Sequence, residues 1–205
     1  MNLFRLIIFA FLTTYLTAFN GGPISEKVMK KAERKYGGLV VSRFIDYNAM
    51  LLQAEHFSLH QKLKVVNDFF NKVPYKSDKK NWKRDDYWAT PLEFLARYKG
   101  DSEDYVIAKY FALETMGVDT TKLYFTYVNS KKFKRAHMVL SYFPSPDADP
   151  FILDNIKPKL LNASDRGDLT PIYNFNPSEP SSDEKQVTTH KNWEKLHKRV
   201  KRNKL

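Results

Sequence analysis

Residues 90–104 read TPLEFLARYKGDSED and contain the starts of two predicted helices. Thr90 can cap the first free amides of a helix, the proline after it suits the first helical position, and Glu93 completes a capping box. This pattern predicts one helix that ends just before Gly100, where the chain can turn, and a second helix that starts at Ser102. The second helix is apolar over much of its circumference, so we expect it to lie at the centre of the fold.

Apolar residues are spaced as in helices before this stretch and as in strands after it. Apolar residues at helical spacing over 24–36 and 45–71 predict two further helices, the longer one ended by Val73-Pro74. Segments of strand length with apolar or alternating patterns come later, at 123–128, 136–143 and 151–153. Helices first and strands afterwards predict an α+β domain with an antiparallel sheet, which we assign to residues 23–176.

The two ends of the chain differ from this domain. Residues 1–22 place Arg5 before an apolar run, which is the pattern of a signal peptide or, if it is not cleaved, of an N-terminal anchor. A buried N-terminal helix is the alternative interpretation. Residues 177–205 begin as a linker rich in proline, serine and acidic residues and continue as a basic tail, in which a short helix over 189–202 is predicted.

Charge and cysteine usage limit the partners and the chemistry. The formal net charge is +11, and much of it collects from Lys191 onward. A basic tail of this kind binds nucleic acid, contacts an anionic membrane surface or stays solvated. For an exported protein we expect no nucleic-acid partner, because nucleic acid lies in another compartment. The chain has no cysteine, which excludes disulfides, thiolate metal ligands and a thiol nucleophile.

Three separated residues offer the groups of a catalytic triad. Ser102 opens a helix, so its side chain lies at the positive end of the helix dipole. His137 lies in the strand-like segment 136–143, and Asp154 follows the apolar run 151–153. A carboxylate at the edge of a buried strand needs a partner, and an imidazole N–H is a suitable one. The three residues could supply a nucleophile, a base and an orienting group, although a lone histidine in a strand is more often structural.

The acids around the serine allow two interpretations. Asp101 can cap the helix, and Glu103 and Asp104 complement its dipole, so that the whole run is helix-capping chemistry. The same three carboxylates are hard oxygen donors of the kind that calcium accepts, although their spacing is not that of an EF-hand loop. From the residues alone both interpretations stay open.

Six segments, taken in order, resemble the bacterial transglutaminase-like cysteine proteinases, and among these the LapG-type periplasmic proteases. The segments are VNDFFN (66–71), DYWATPLEFL (86–95), GDSED (100–104), AHMVL (136–140), LDN (153–155) and LTPIY (169–173). The resemblance covers roughly residues 30–176 and implies a papain-like, transglutaminase-like core. It implies a periplasmic, calcium-dependent endopeptidase that releases large biofilm adhesins by cutting near their N-terminus. It also implies control by an inner-membrane receptor that senses cyclic di-GMP and sequesters the protease.

The functional residues of that family fall on six positions of this chain. The catalytic cysteine, histidine and aspartate correspond to Ser102, His137 and Asp154, and the calcium-binding acids correspond to Asp101, Glu103 and Asp104. The departure is the serine. A helix N-terminus and an imidazolium can hold a thiol as thiolate, whereas a hydroxyl loses its proton only during attack and needs the histidine as a general base.

Two functions of the site therefore stay open, beside a third possibility, that the protein is an interaction protein whose basic tail from Lys191 onward recruits an anionic membrane or another partner. The first is a periplasmic endopeptidase with the triad altered to Ser-His-Asp, or its acyl-transferring variant, which would use the same nucleophile. The second is a non-cleaving pseudo-protease that binds calcium, substrate or the regulatory receptor.

Overall fold

Six helices precede the sheet in the computed structural model, which describes residues 22–132, 134–179, 187–203 and 205. They are α1 (Glu26–Tyr36), α2 (Leu39–Gln53), α3 (Leu59–Phe70), α4 (Asp78–Asn81), α5 (Pro91–Arg97) and α6 (Ser102–Thr115). The predicted capping box is confirmed, because Thr90 Oγ1 accepts from the Glu93 N–H at 3.1 Å and Glu93 Oε2 accepts from the Thr90 N–H at 2.9 Å. This box fixes the start of α5, and the turn that follows fixes the start of α6.

The prediction of one long helix over 45–71 is wrong. The structure divides this range into α2 and α3, and α2 begins before it. A second capping box makes the break, because the Ser58 N–H donates to Gln61 Oε1 at 2.9 Å while the Ser58 side chain accepts from the Gln61 N–H. The apolar spacing continues through both helices, so periodicity alone bridges the break between them.

Five strands form the sheet in the described part of the chain. They are β1 (Leu123–Ser130), β2 (Arg135–Tyr142), β3 (Phe151–Leu153), β4 (Leu161–Asn162) and β5 (Leu169–Phe175). Their order is β4-β3-β2-β1-β5, and every neighbouring pair is antiparallel. The predicted α+β fold with an antiparallel sheet is therefore confirmed. The sequence did not predict β4 or β5, and β5 contains Pro171, which the sheet accommodates at its edge.

Helix α6 lies at the centre of the fold, as predicted. Most of its side chains are buried, and it packs against α3, α5 and β2. In the sheet, Leu140 of β2 pairs with Leu153 of β3. This register brings Asp154, the next residue, close to the part of β2 that carries His137, and α6 supplies the third residue of the site.

The C-terminal segment ends in a helix, α7 (Val187–Lys201), that packs on the same core. The indole of Trp193 is buried and stacks on the ring of Phe111, with centroids 5.4 Å apart. Arg199 donates to Glu93 Oε2 at 3.1 Å and to the carbonyl oxygen of Trp88, next to the capping box of α5. The exposed face of α7 and the turn after it carry basic side chains, at Lys191, Lys195, Lys198, Lys201 and Arg202.

No helix in the described part of the chain is long and apolar enough to cross a membrane. The segment predicted as a signal peptide or anchor, residues 1–22, lies outside the described residues except for Gly22.

Candidate active site

Three elements meet at the predicted site. Ser102 is the first residue of α6, His137 lies in β2, and Asp154 comes directly after β3. Ser102 and His137 line one cavity of about 400 Å³. Other residues of its wall are Tyr75, Lys132, Asn155 and Ile156. The structure therefore places the serine and the histidine on the wall of one shared cavity, with the serine at the positive end of α6.

His137 and Asp154 form a buried pair. The Nε2 atom of His137 lies 2.8 Å from Asp154 Oδ1, and the two side chains are 6% and 0% exposed. Asp154 Oδ1 also accepts from the Ile156 N–H at 2.9 Å, which fixes the carboxylate relative to its own loop. Because Nε2 is engaged with the carboxylate, Nδ1 is the imidazole nitrogen that remains to exchange a proton with a nucleophile.

Arg166 is a residue of this site that the sequence did not point to. From the turn between β4 and β5, its Nη2 donates to Asp154 Oδ2 at 2.6 Å and its Nε donates to Asp168 Oδ1 at 2.9 Å. Burial opposes ionisation of Asp154, but the hydrogen bond and charge of His137, assisted by the Ile156 N–H and Arg166, outweigh burial and hold the pKa of Asp154 below its usual range. The carboxylate stays ionised, as the orienting group of a triad must.

The hydroxyl of Ser102 is engaged with its neighbour. Ser102 Oγ donates to Glu103 Oε2 at 2.7 Å, and its residue is 9% exposed. Among the described residues, no hydrogen bond joins Ser102 to His137. Because catalytic hydrogen bonds are often long or absent before substrate binds, a nucleophile role for Ser102 would require this hydroxyl to turn from Glu103 toward the imidazole.

Three carboxylates cluster beside the serine. Asp78, Asp101 and Asp104 each contribute one oxygen to a group in which all three atoms lie within 4.8 Å of one another. Two of them belong to the predicted calcium set of Asp101, Glu103 and Asp104. Asp78, which comes from the start of α4, was not among the predicted ligands, while the carboxylate of Glu103 accepts from Ser102 instead.

The cluster has the properties of a cation site. One oxygen of each carboxylate (Asp78 Oδ1, Asp101 Oδ1 and Asp104 Oδ2) is buried without a hydrogen-bond partner among the described residues. Burial, and then the charges of neighbouring acids, raise the pKa of Asp101 to about 10 and the pKa of Asp78 to about 6. Buried carboxylate oxygens without donors are costly alone, and a divalent cation that takes oxygen ligands would compensate them.

Gly100 allows the start of α6 to lie this close to the cluster. A Cβ at this position would meet the ring of Phe94 at 2.7 Å and would collide with Asp104 Oδ2. The carbonyl oxygen of Gly100 also accepts from the Lys76 N–H at 2.7 Å, so the segment before α4 is tied to the turn before α6. A residue without a Cβ is therefore needed where the turn before α6 packs against Asp104 and Phe94.

A nucleophile position at a helix N-terminus, a histidine on a strand and an aspartate after the neighbouring strand define a class of protein, the papain-like, transglutaminase-like peptidases. The family model of the bacterial transglutaminase-like cysteine proteinases (BTLCP) matches residues 47–189. The chain belongs to this family, and the prediction made from its six segments is confirmed.

Three solved structures are similar to this chain over most of both lengths. Legionella pneumophila LapG is 37% identical with a TM-score of 0.72, and the match covers 87% of this chain and 99% of that one. The EGTA-treated form of the same protein gives 37% identity, a TM-score of 0.73 and the same coverage. The calcium-bound form gives 35% identity and a TM-score of 0.71, and covers 86% of this chain and 99% of that one. No match is found among curated proteins.

Proposed function

We propose that the protein is a periplasmic endopeptidase of this family in which Ser102 replaces the nucleophilic cysteine and acts with His137 and Asp154. The observation that carries the proposal is the buried bond between His137 Nε2 and Asp154 Oδ1, made at the cavity that Ser102 also lines. An oriented imidazole with one free nitrogen beside a hydroxyl at a helix N-terminus is suited to acyl transfer.

In the proposed mechanism, His137 Nδ1 takes the proton of the Ser102 hydroxyl as Oγ attacks the carbonyl carbon of a peptide bond. The imidazolium then gives that proton to the amine that leaves, and a water molecule, activated by the same imidazole, releases the acyl group. Asp154 remains ionised and holds the ring in place. The N-terminus of α6 favours the negative charge that develops on the carbonyl oxygen.

We further propose that Asp78, Asp101 and Asp104 hold calcium. The ion would supply positive charge beside the start of α6 and would join α4 to that helix. The support is the set of buried oxygens without partners, together with the existence of calcium-bound and EGTA-treated structures of Legionella pneumophila LapG. Because Asp101 precedes Ser102 directly, a metal there would fix the backbone that carries the nucleophile.

The proposed substrate is the N-terminal region of a large surface adhesin, and the proposed regulator is an inner-membrane receptor for cyclic di-GMP. Both follow from the resemblance to the LapG-type proteases, as does the periplasmic location. The apolar N-terminal run of the sequence supports export.

A second function is favoured by one observation, the hydrogen bond from Ser102 Oγ to Glu103 Oε2. A hydroxyl held by a carboxylate rather than by the imidazole is not poised for attack. A misplacement of about 1 Å can cost on the order of a hundredfold in rate. The alternative is therefore a pseudo-protease that keeps the fold and the cation site and binds its substrate or receptor without cutting it.

One experiment separates the two functions. The unaltered protein, Ser102→Ala and Ser102→Cys are incubated with a peptide from an adhesin linker, each with calcium and with EGTA. The proposal expects cleavage by the unaltered protein with calcium, and none by the alanine variant. Cleavage by the cysteine variant alone would establish the pseudo-protease, because it would show an intact pocket that has lost only its nucleophile.

A further inference from the structure

A buried lysine lies behind the site, two helical turns along α6 from the serine. Lys109 is 0% exposed, and its Nζ donates to Asn67 Oδ1 and to Asn71 Oδ1, each at 2.8 Å. Both asparagines belong to the α3 segment, Asn67 within the helix and Asn71 at its end. The family mechanism described above gives none of these three residues a task.

The two asparagines also form hydrogen bonds with the loop that follows β3. Asn71 Nδ2 donates to the carbonyl oxygen of Asp154 at 2.8 Å, and Asn67 Nδ2 donates to the carbonyl oxygen of Pro158 at 2.6 Å. The loop 154–158 is thus held at its first and last residues. It carries the carboxylate that orients His137, and two of its residues line the cavity.

Lys109 determines which way both amides point. The Lys109 amino group donates to both amide oxygens, and as an ammonium it can only donate, so each amide presents its oxygen to the lysine and its NH₂ to the loop. Burial lowers the pKa of Lys109 to about 7, although the negative charges of Asp154 and Asp68 act to raise it. The arrangement does not depend on that protonation, because even a neutral amine keeps two N–H groups for its two acceptors.

We propose that Lys109, Asn67 and Asn71 form a hydrogen-bond relay that positions the Asp154 loop, with Lys109 as a positioning residue for the triad. The proposal rests on the proposed role of Asp154 in orienting His137. The relay extends the site from α6 through α3 to the end of β3. It also explains a buried lysine that, among the described residues, has no carboxylate as a hydrogen-bond partner.

The test uses a property of this chain, namely that it has no cysteine. In Ser102→Cys the only thiol stands at the nucleophile position, so its alkylation by iodoacetamide across a pH series reports thiolate formation there without any substrate. His137→Ala in the same background establishes that the imidazole activates the thiol. If that variant changes nothing, the triad assignment itself fails, independently of the relay.

The decisive variant is Asn71→Asp in the Ser102→Cys background. It keeps the shape and the acceptor for Lys109 but removes the N–H that bonds the Asp154 carbonyl. Asn67→Asp is the matched comparison, since it adds the same charge against the same lysine but removes the contact at the far end of the loop, at Pro158, and keeps the contact to Asp154. The relay predicts that Asn71→Asp lowers the alkylation rate at neutral pH about tenfold or more, and more than Asn67→Asp does.

A double-mutant cycle tests the route through the lysine. If Lys109 acts through Asn71, then Lys109→Met and Asn71→Leu together lower the alkylation rate no further than the stronger single change. Additive losses would overturn the relay. An alkylation rate in Asn71→Asp equal to that of the Ser102→Cys protein itself would also overturn it.

Discussion

Asp101→Asn should have opposite effects on stability without and with calcium. In the calcium-free protein, three carboxylate oxygens lie within 4.8 Å of one another. At that separation two ionised groups repel by about 3 kcal/mol with an effective dielectric constant of about 20. Asp101 takes part in two of the three carboxylate pairs. The asparagine in Asp101→Asn therefore removes most of the repulsion while keeping the shape of the side chain.

The net gain is smaller than the Coulomb sum, because the raised pKa of Asp101 means that a bound proton already relieves part of it. We expect the calcium-free variant to be more stable than the unaltered protein by about 1–2 kcal/mol, which raises Tm by roughly 2–8 °C in a chain of this length. In the unaltered protein, calcium at about a hundred times its Kd should add about 2.7 kcal/mol, or roughly 5–11 °C. The variant should lose that gain.

The measurement is thermal unfolding of both proteins in EGTA and in a calcium series, with magnesium as the control ion. Asp46→Asn, an exposed acid on α2, is the matched control variant and should behave like the unaltered protein. If the unaltered protein melts at the same temperature in calcium and in EGTA, the three carboxylates do not hold calcium. An undiminished calcium shift in Asp101→Asn would show that the ion binds elsewhere.

Three further predictions concern the rest of the molecule. Arg166→Met should cost about 1.5–3 kcal/mol at pH 7, because it removes one charge-assisted hydrogen bond from the buried Asp154 carboxylate, which keeps its bonds to His137 and the Ile156 N–H. The pKa of Asp154 is lower in the folded protein than in the unfolded chain, where it is about 4. The stability that Arg166 gives through the ionised carboxylate is therefore present above about pH 4 and is lost on acidification. Urea unfolding should show the stabilities of the two proteins converging below about pH 4. Trp193→Ala should cost about 3–5 kcal/mol in the same assay, with the exposed Lys195→Ala as a near-neutral control. If the exposed face of α7 contacts anionic lipid, reversing Lys191, Lys195 and Lys198 to Glu should weaken binding to anionic vesicles by about 1 kcal/mol per residue at low salt, and neutral vesicles should show no difference.

Local chemistry made part of the fold predictable. The capping box at Thr90 and Glu93 is a contact between residues three positions apart, so the sequence displays it directly. The change of period after α6 likewise displays the change from helix to strand. The break before α3 is equally local, at Ser58 and Gln61, but the apolar spacing that runs across it gives the stronger signal and points to one helix.

The rest of the site depends on contacts between residues far apart in sequence. Asp78 joins Asp101 only because the turn before α6 is tied back to the segment before α4, and Arg166 reaches Asp154 from a turn with no periodic pattern. Lys109 lies in a helix that is apolar over much of its circumference, where its charge would argue against burial. Composition and spacing carry no information about such partners, so the three candidate triad residues could be named from motifs while the groups in contact with them could not.

The position of the acid cluster also bears on the exchange of sulfur for oxygen at residue 102. A thiolate would carry its full negative charge in the resting enzyme, next to Asp101 and Glu103 and close to the other buried carboxylates, so it would need a cation there before any substrate arrives. A serine is neutral at rest and becomes negative only as it attacks. The unaltered protein should therefore keep a folded, accessible site without calcium and need the ion for turnover, whereas in Ser102→Cys calcium should also speed alkylation of the resting thiol. Alkylation of the cysteine variant at equal rates in calcium and EGTA would show that the cluster does not act on the nucleophile through its charge.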